Sequence, residues 1–288
     1  MRLATFTWQG SDRAGVVEGS EIVDVSEVAP SMQALVEGGS EALAHARDAA
    51  ARGQRVALDR VRLRAPFPRP AKNIFCLGLN YKDHVAEGAR SRGAETRLPE
   101  YPVWFTKAST AVCGPYDDIP VDLHLSTQYD WEVELALVIG RVARRVPKER
   151  ASDYIHSYTV FNDFSIRDIQ RRHGGQFFKG KSLDRASPLG PWLVTPDEVP
   201  VPQQLRVLCR INGVVKQDAN TSDMIFDIPS MLADITDTVT LEPGDVIATG
   251  TPSGVGFART PPEFLKPGDV METEIEGVGL LRNRIVSD

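Results

Sequence analysis

Asp130-Trp-Glu132-Val-Glu134-Leu-Ala-Leu-Val-Ile-Gly140 ends in an unbroken apolar run, Leu135 through Ile139. Side chains of a strand alternate between its faces, so a run that is apolar at odd and even positions alike reads as a strand buried on both sides. The same alternation puts Glu132 and Glu134 on one face, beside Ala136 and Val138. Two like charges on an otherwise apolar face repel each other and are costly to bury, so they need a cation, basic partners or water. The apolar run that follows argues against a solvated edge and for a hard-metal site.

Outward from this stretch, runs of strand length recur at residues 159–161, 205–211, 246–249, 270–275 and 280–285. Asn212-Gly213 has the chemistry of a two-residue hairpin turn. The stretches LEPGDVIATG and LKPGDVMETE share a Leu-x-Pro-Gly-Asp opening, which is turn chemistry before a strand rather than a repeat architecture. Helices are predicted over residues 80–87, 147–155, 165–172 and 230–236, with Ser165 and Asp168 at capping-box spacing. Strands predominate without regular β-α alternation, which disfavours a Rossmann or barrel arrangement and leaves a strand-dominated α+β core.

The chain opens differently. Residues 3–25 alternate apolar and polar positions between turns, as in a short antiparallel meander, and residues 31–52 read as helix, with Ser31 and Ser40 as candidate N-caps and Gly38-Gly39 as an interruption. A strand is predicted around residues 61–64. Residues 65–73, APFPRPAKN, hold three prolines and no periodicity, which places a boundary between a small α+β domain, 1–66, and a larger catalytic domain, 67–288.

Composition narrows the class. The 288 residues carry 33 basic and 39 acidic side chains, a formal charge of −6, and 42% hydrophobic residues. A chain of this length buries roughly three quarters of its unfolded surface and needs neither disulfides nor a structural metal to hold a core. Cys76, Cys113 and Cys209 are odd in number and lack CxxC spacing, which speaks for a reducing compartment and against a zinc knuckle. Without a signal-like start or a long apolar run, the protein reads as cytoplasmic, with no membrane partner. Mild acidity and scattered basic residues exclude a nucleic-acid partner.

Four segments carry candidate chemistry. Asp163, closing a predicted strand, is the natural third carboxylate beside Glu132 and Glu134; its alternative role is to cap the helix that follows, a task open to Ser165. An all-carboxylate set suits Mg²⁺ or Mn²⁺ and not Zn²⁺, with Ca²⁺ admissible but less suited to catalysis. In Gly78-Leu-Asn80-Tyr-Lys-Asp-His84-Val-Ala-Glu87-Gly88, Asn80 is placed to cap a helix that sets His84 and Glu87 three apart, where a carboxylate can support an imidazole general base. Such pairs are more often simple surface contacts. Gln170 and Lys181 stand on a helix and a glycine-flanked turn, and residues 249–256, TGTPSGVG, form a glycine-rich loop whose amides suit a carboxylate. His45, His124, His156 and His173 read as surface or packing residues.

Taken in order, these segments resemble the fumarylacetoacetate hydrolase family: Asn80-Tyr81 with His84 and Glu87, Phe105-Thr-Lys107-Ala-Ser-Thr110, Trp-Glu-Val-Glu-Leu, Asn-Asp-Phe-Ser-Ile-Arg-Asp, Gly-Lys-Ser-Leu-Asp and Thr-Gly-Thr-Pro-Ser-Gly-Val-Gly. The similarity spans about residues 73–286, and the ordered set is far more specific than any one motif. The resemblance implies a mixed β-sandwich roll, a homodimer, and an optional small N-terminal domain. It implies Glu132, Glu134 and Asp163 as metal ligands and His84, Glu87 and Lys181 as catalytic residues. Gln170, Gly250 and Thr251 are implied as substrate contacts.

The activity so implied is metal-dependent hydrolysis of a C–C bond in an acylpyruvate or 2,4-dioxo acid through a pyruvate enolate, in catabolism of aromatic compounds or sugar acids. Decarboxylation of oxaloacetate and isomerisation or hydration of 2-oxo acids use the same chemistry and remain alternatives, and a non-catalytic dicarboxylate-binding protein is a third. Residues 89–100 read as a candidate lid, and Arg92, Arg97 and Arg167 as candidate partners for a second acid group, although solvent is the ordinary place for arginine.

Overall fold

The computed structural model describes residues 1–288 except His173, so the reading of that histidine lies outside the described residues. The predicted core strand forms as Val133–Ile139, with every residue buried. It lies inside a large mixed sheet that runs Arg55–Ala57, Glu21–Asp24, Ser11–Glu18, Arg2–Trp8, Ser187–Val194, Ile155–Asn162, Val133–Ile139, Val246–Ala248, Ile74–Gly78 and Val103–Lys107. A five-stranded sheet, Val214–Asn220, Arg206–Ile211, Val270–Ile275, Gly279–Ser287 and Ile119–Val121, packs on it.

That stacking explains the doubly apolar run. Val133, Leu135, Leu137 and Ile139 join one core with Cys209, Ile211, Met271, Ile275 and Leu281 of the smaller sheet. Ala136 and Val138 join another with Leu35, Val36, Ala46 and Ala49 of the N-terminal helices. One strand is thus sandwiched between a sheet and a helical layer, and strand-dominated α+β is the observed class. Arg2–Trp8 pairs antiparallel with Ser187–Val194, so the strands before the proline segment extend the same sheet.

Local chemistry sets the remaining boundaries. Asn212 and Gly213 have φ of 53° and 78°, the left-handed values a type I′ hairpin requires. Ser31 Oγ accepts from the Ala34 amide and caps Met32–Glu37. Ser40 does not cap: it lies inside a second helix, Gly39–Arg52, whose cap position is Gly38. Residues 147–155 form a 3₁₀ segment, Lys148–Tyr154. The helix predicted over 165–172 is only Arg167–Arg172, because Ser165 pairs in a short strand with Asp130 and its hydroxyl donates to the Asp163 carbonyl. Asp227 caps Ile228–Thr238 through the Ser230 amide. No helix among the described residues is long and apolar enough to cross a membrane.

His156 is a packing residue with a measurable cost. It is buried, its Nδ1 lies 3.1 Å from Ser157 Oγ, and burial pushes its pKa down to about 4. The unfolded chain takes up this proton near the ordinary value of about 6.5, so protons favour unfolding. Stability is therefore full above that value and falls as pH drops toward 4. A His156→Gln variant is expected to remove roughly 2–3 kcal/mol of the stability lost between about pH 7 and pH 4.5. Urea melts at the two pH values check this, and an unchanged pH dependence contradicts it.

Candidate active site

Strand register brings the three carboxylates together. Val133 pairs with Asn162 across adjacent antiparallel strands, and the Asp163 amide donates to the Glu132 carbonyl at 2.9 Å. Glu132 immediately precedes the strand Val133–Ile139, Glu134 is its second residue, and Asp163 immediately follows the neighbouring strand Ile155–Asn162. One oxygen from each lies within 4.8 Å of the others, and all three residues are buried.

Their charges are unequally matched. Lys181 Nζ lies 2.6 Å from both Glu132 Oε2 and Asp163 Oδ2. Lys107 Nζ is 2.6 Å from Asp163 Oδ1 and also donates to the Phe164 carbonyl. Arg167 Nε donates to Asp130 Oδ2 at 2.7 Å, and its Nη2 lies 2.6 Å from Glu132 Oε1 in an ion contact of poor hydrogen-bond angle. Glu134 accepts the Gly250 amide at 2.8 Å and has no cation partner among the described residues. Buried carboxylates 130, 132, 134 and 163 face buried cations 107, 167 and 181, four against three, which leaves one negative charge in excess.

The titration directions follow. Burial acts to raise the Glu132 carboxyl, but Lys181 and Arg167 hold it below the usual carboxylate range. Burial, then Asp163 and Glu132, push Glu134 well above it. Burial acts to lower Lys181, yet Asp163 and Glu132 raise it, so it is a fixed cation. Three converging carboxylates, one of them uncompensated, fit a hard divalent ion, and no histidine or cysteine joins the set to favour zinc.

His84 and Glu87 meet as the sequence spacing suggests. His84 Nδ1 is 2.9 Å from Glu87 Oε1, and Glu87 Oε2 accepts the Gly254 amide at 2.8 Å. Their helix, however, is Lys82–Ser91, and Asn80 does not cap it. Asn80 Nδ2 donates to the Thr249 and Phe226 carbonyls and its Oδ1 accepts the Phe226 amide, which ties the strand end to the glycine-rich loop.

A cavity of about 300 Å³ collects His84, Glu132, Glu134, Asp163, Gln170, Lys181 and Thr251 with Arg92, Arg167, Arg171, Phe105, Phe177 and Phe257. Gln170 Oε1 accepts from Arg167, and Thr251 Oγ1 accepts from Gln217. Gly250 is not in the lining: its amide is taken by Glu134, so it positions a carboxylate instead of presenting a donor to substrate. Lys107, Asp130 and Arg167 are the charged residues whose part in the cluster the sequence left unassigned. The available signal was a lysine closing the apolar strand Val103–Lys107.

A sheet sandwich with a buried acid triad and a glutamate-backed histidine lining one small cavity defines the class. The chain belongs to the fumarylacetoacetate hydrolase family, whose C-terminal domain model, Fumarylacetoacetate (FAA) hydrolase C-terminal, matches residues 73–286. It is 41% identical over 274 residues to the oxaloacetate tautomerase YisK of Bacillus subtilis, covering 92% of this chain and 89% of that protein. It superposes on the fumarylacetoacetate hydrolase of Exiguobacterium antarcticum with a TM-score of 0.86 and 37% identity over 100% of both chains. A maleylpyruvate hydrolase from Sphingobium sp. SYK-6, solved with manganese(II) and pyruvate, matches with a TM-score of 0.82 and 30% identity over 100% of this chain and 99% of that one.

Proposed function

We propose that the protein is a divalent-metal-dependent enzyme that moves a proton between carbon and oxygen of a short 2-oxo acid, interconverting its keto and enol forms, with oxaloacetate the first compound to test. The observation that carries this reading is His84, hydrogen-bonded from behind by Glu87, lining one cavity with Glu132, Glu134, Asp163 and Lys181. The relative with oxaloacetate tautomerase activity, similar over nearly the whole chain, supports it.

Glu87 receives the Nδ1–H of His84 and leaves the lone pair on Nε2, a tautomer assigned from that hydrogen bond. Nε2 takes the proton from C3 of the keto form. The C–H electron pair becomes the C2=C3 bond, negative charge moves onto the 2-oxo oxygen, and the His84 imidazolium returns its proton to that oxygen, restoring the neutral ring. Lys181, fixed between two carboxylates, adds positive potential at that end of the cavity. A divalent ion held by Glu132, Glu134 and Asp163 supplies Lewis acidity that stabilises the developing oxyanion charge.

Cleavage of a C–C bond in an acylpyruvate is the second reading. It is favoured by the same histidine, able to take a proton from water, and by the maleylpyruvate hydrolase likeness. Chelator-treated protein is expected to ketonise enol-oxaloacetate at the background rate and to recover with Mg²⁺ or Mn²⁺. Unchanged turnover in metal-free protein overturns the metal assignment, and faster cleavage of acylpyruvates, shown by product identification, moves the assignment to the second reading.

A further inference from the structure

We propose that Arg92 and Arg171 form a clamp for a second carboxylate, so that the site selects dicarboxylic 2-oxo acids over those with a neutral tail. The proposal rests on the reading of the cavity as a 2-oxo acid site and adds which acids it takes. Both arginines line the cavity, and neither has a carboxylate partner among the described residues.

Arg171 lies on one helix and Arg92 at the end of another. On Lys82–Ser91, residues 84 and 88 follow at i and i+4 along one face, and Arg92 is the residue that caps the helix C-terminus. A Cβ at Gly88 would meet Arg92 Nη1 at 3.4 Å, so the guanidinium lies back over the glycine, about one turn or ~6 Å along the axis from His84. On Arg167–Arg172, Arg167 touches Glu132, and Arg171 follows one turn later at i+4. Each segment thus offers one residue to the acid cluster or its histidine and sets an unpaired guanidinium about a turn beyond, Arg171 by its place on the helix and Arg92 by folding back over Gly88, a reach that spans a short carbon chain.

Arg171 is held in place by stacking. Phe257 stacks on Arg167 and Arg171 of the second helix, with their Cζ atoms at 4.6 Å and 4.8 Å from its ring centroid. Burial, then Arg167 and Arg92, act to lower Arg171 against an opposing pull from Asp130; Arg167 is paired with Asp130 and Glu132, whereas Arg92 and Arg171 have no carboxylate at ion-pair distance among the described residues. A carboxylate there accepts planar paired hydrogen bonds and relieves the repulsion. An acid ending in a methyl group does neither.

The test is isothermal binding in saturating Mg²⁺ of oxaloacetate, 2-oxoglutarate and 2-oxoadipate against 2-oxobutanoate, 2-oxopentanoate and 2-oxohexanoate. At the best-bound length the dicarboxylate is expected to bind roughly 10- to 100-fold more tightly than its monocarboxylic counterpart. Arg92→Ala and Arg171→Ala should each collapse that ratio, and the Lys variants should restore it only in part, because an ammonium lacks the planar fork. A ratio near one in the unaltered protein, or variants that weaken both acid classes alike, overturns the clamp while leaving the 2-oxo acid reading in place. Metal-dependent binding of neither class would overturn both.

Discussion

Replacing Glu134 with glutamine is expected to weaken Mg²⁺ or Mn²⁺ binding by at least about 100-fold, since losing even a group that only orients a ligand costs 10- to 100-fold. Glu134 is chosen because its charge is the one no protein cation matches: Glu132 is held by Lys181 and Arg167, and Asp163 by Lys107 and Lys181. Glutamine has nearly the same shape, and its side-chain oxygen can still accept the Gly250 amide that Glu134 accepts. It leaves no buried group without a partner, and it removes a carboxyl that burial and two like charges already disfavour in its ionised form. The folded protein should therefore keep its unfolding temperature within a few degrees, or gain slightly, while losing metal-dependent turnover. Glu132→Gln is the contrast: it leaves Arg167 and Lys181 short of a buried counter-charge, so stability falls along with binding. Calorimetric titration with Mn²⁺ and thermal melts of both variants separate the effects. Metal affinity unchanged in Glu134→Gln would remove this residue from the ligand set.

The acid triad was legible because strand periodicity is a strong constraint. A period of two fixed Glu132 and Glu134 on one face, and the apolar run after them fixed burial on both faces. Convergence with Asp163 depends on register, which no single strand encodes; the Val133–Asn162 pairing supplies it. The counter-charges were harder to see. Lys107 and Lys181 come from opposite ends of a long intervening stretch, and a lysine ordinarily reads as a surface group. Asn80 misled for a related reason. An asparagine ahead of a helical pattern suggests a cap, yet the same side chain satisfies three backbone groups across the strand–loop junction, and that tertiary demand outweighs the local one. Ser165 yielded likewise to the short strand facing Asp130. The N-terminal segment was readable as strands and helix, but not its edge-on union with the larger sheet through Arg2–Trp8.

His84→Ala should lower keto–enol interconversion by roughly 10²- to 10⁴-fold, the usual worth of a placed general base, with metal affinity left within about twofold. The ring touches Glu87 and no ligand carboxylate, so its loss removes a proton carrier without disturbing the triad. Glu87→Gln should cost less. Its side-chain oxygen can still accept from Nδ1, but the Gly254 amide then faces an NH₂ group where it had a carboxylate oxygen, and a protonated imidazole loses its counter-charge. The reactions separate at this residue. Hydrolysis of an acylpyruvate needs a base to take a proton from water, and tautomerisation needs one to take it from carbon, whereas loss of CO₂ from oxaloacetate leaves its electron pair behind with no proton removed first. Rates of all three in the same His84→Ala preparation should show the first two falling together and decarboxylation largely retained. Equal losses in all three would mean that His84 holds the substrate or the fold instead of moving a proton, and a near-native tautomerisation rate would place the proton transfer on a group other than His84.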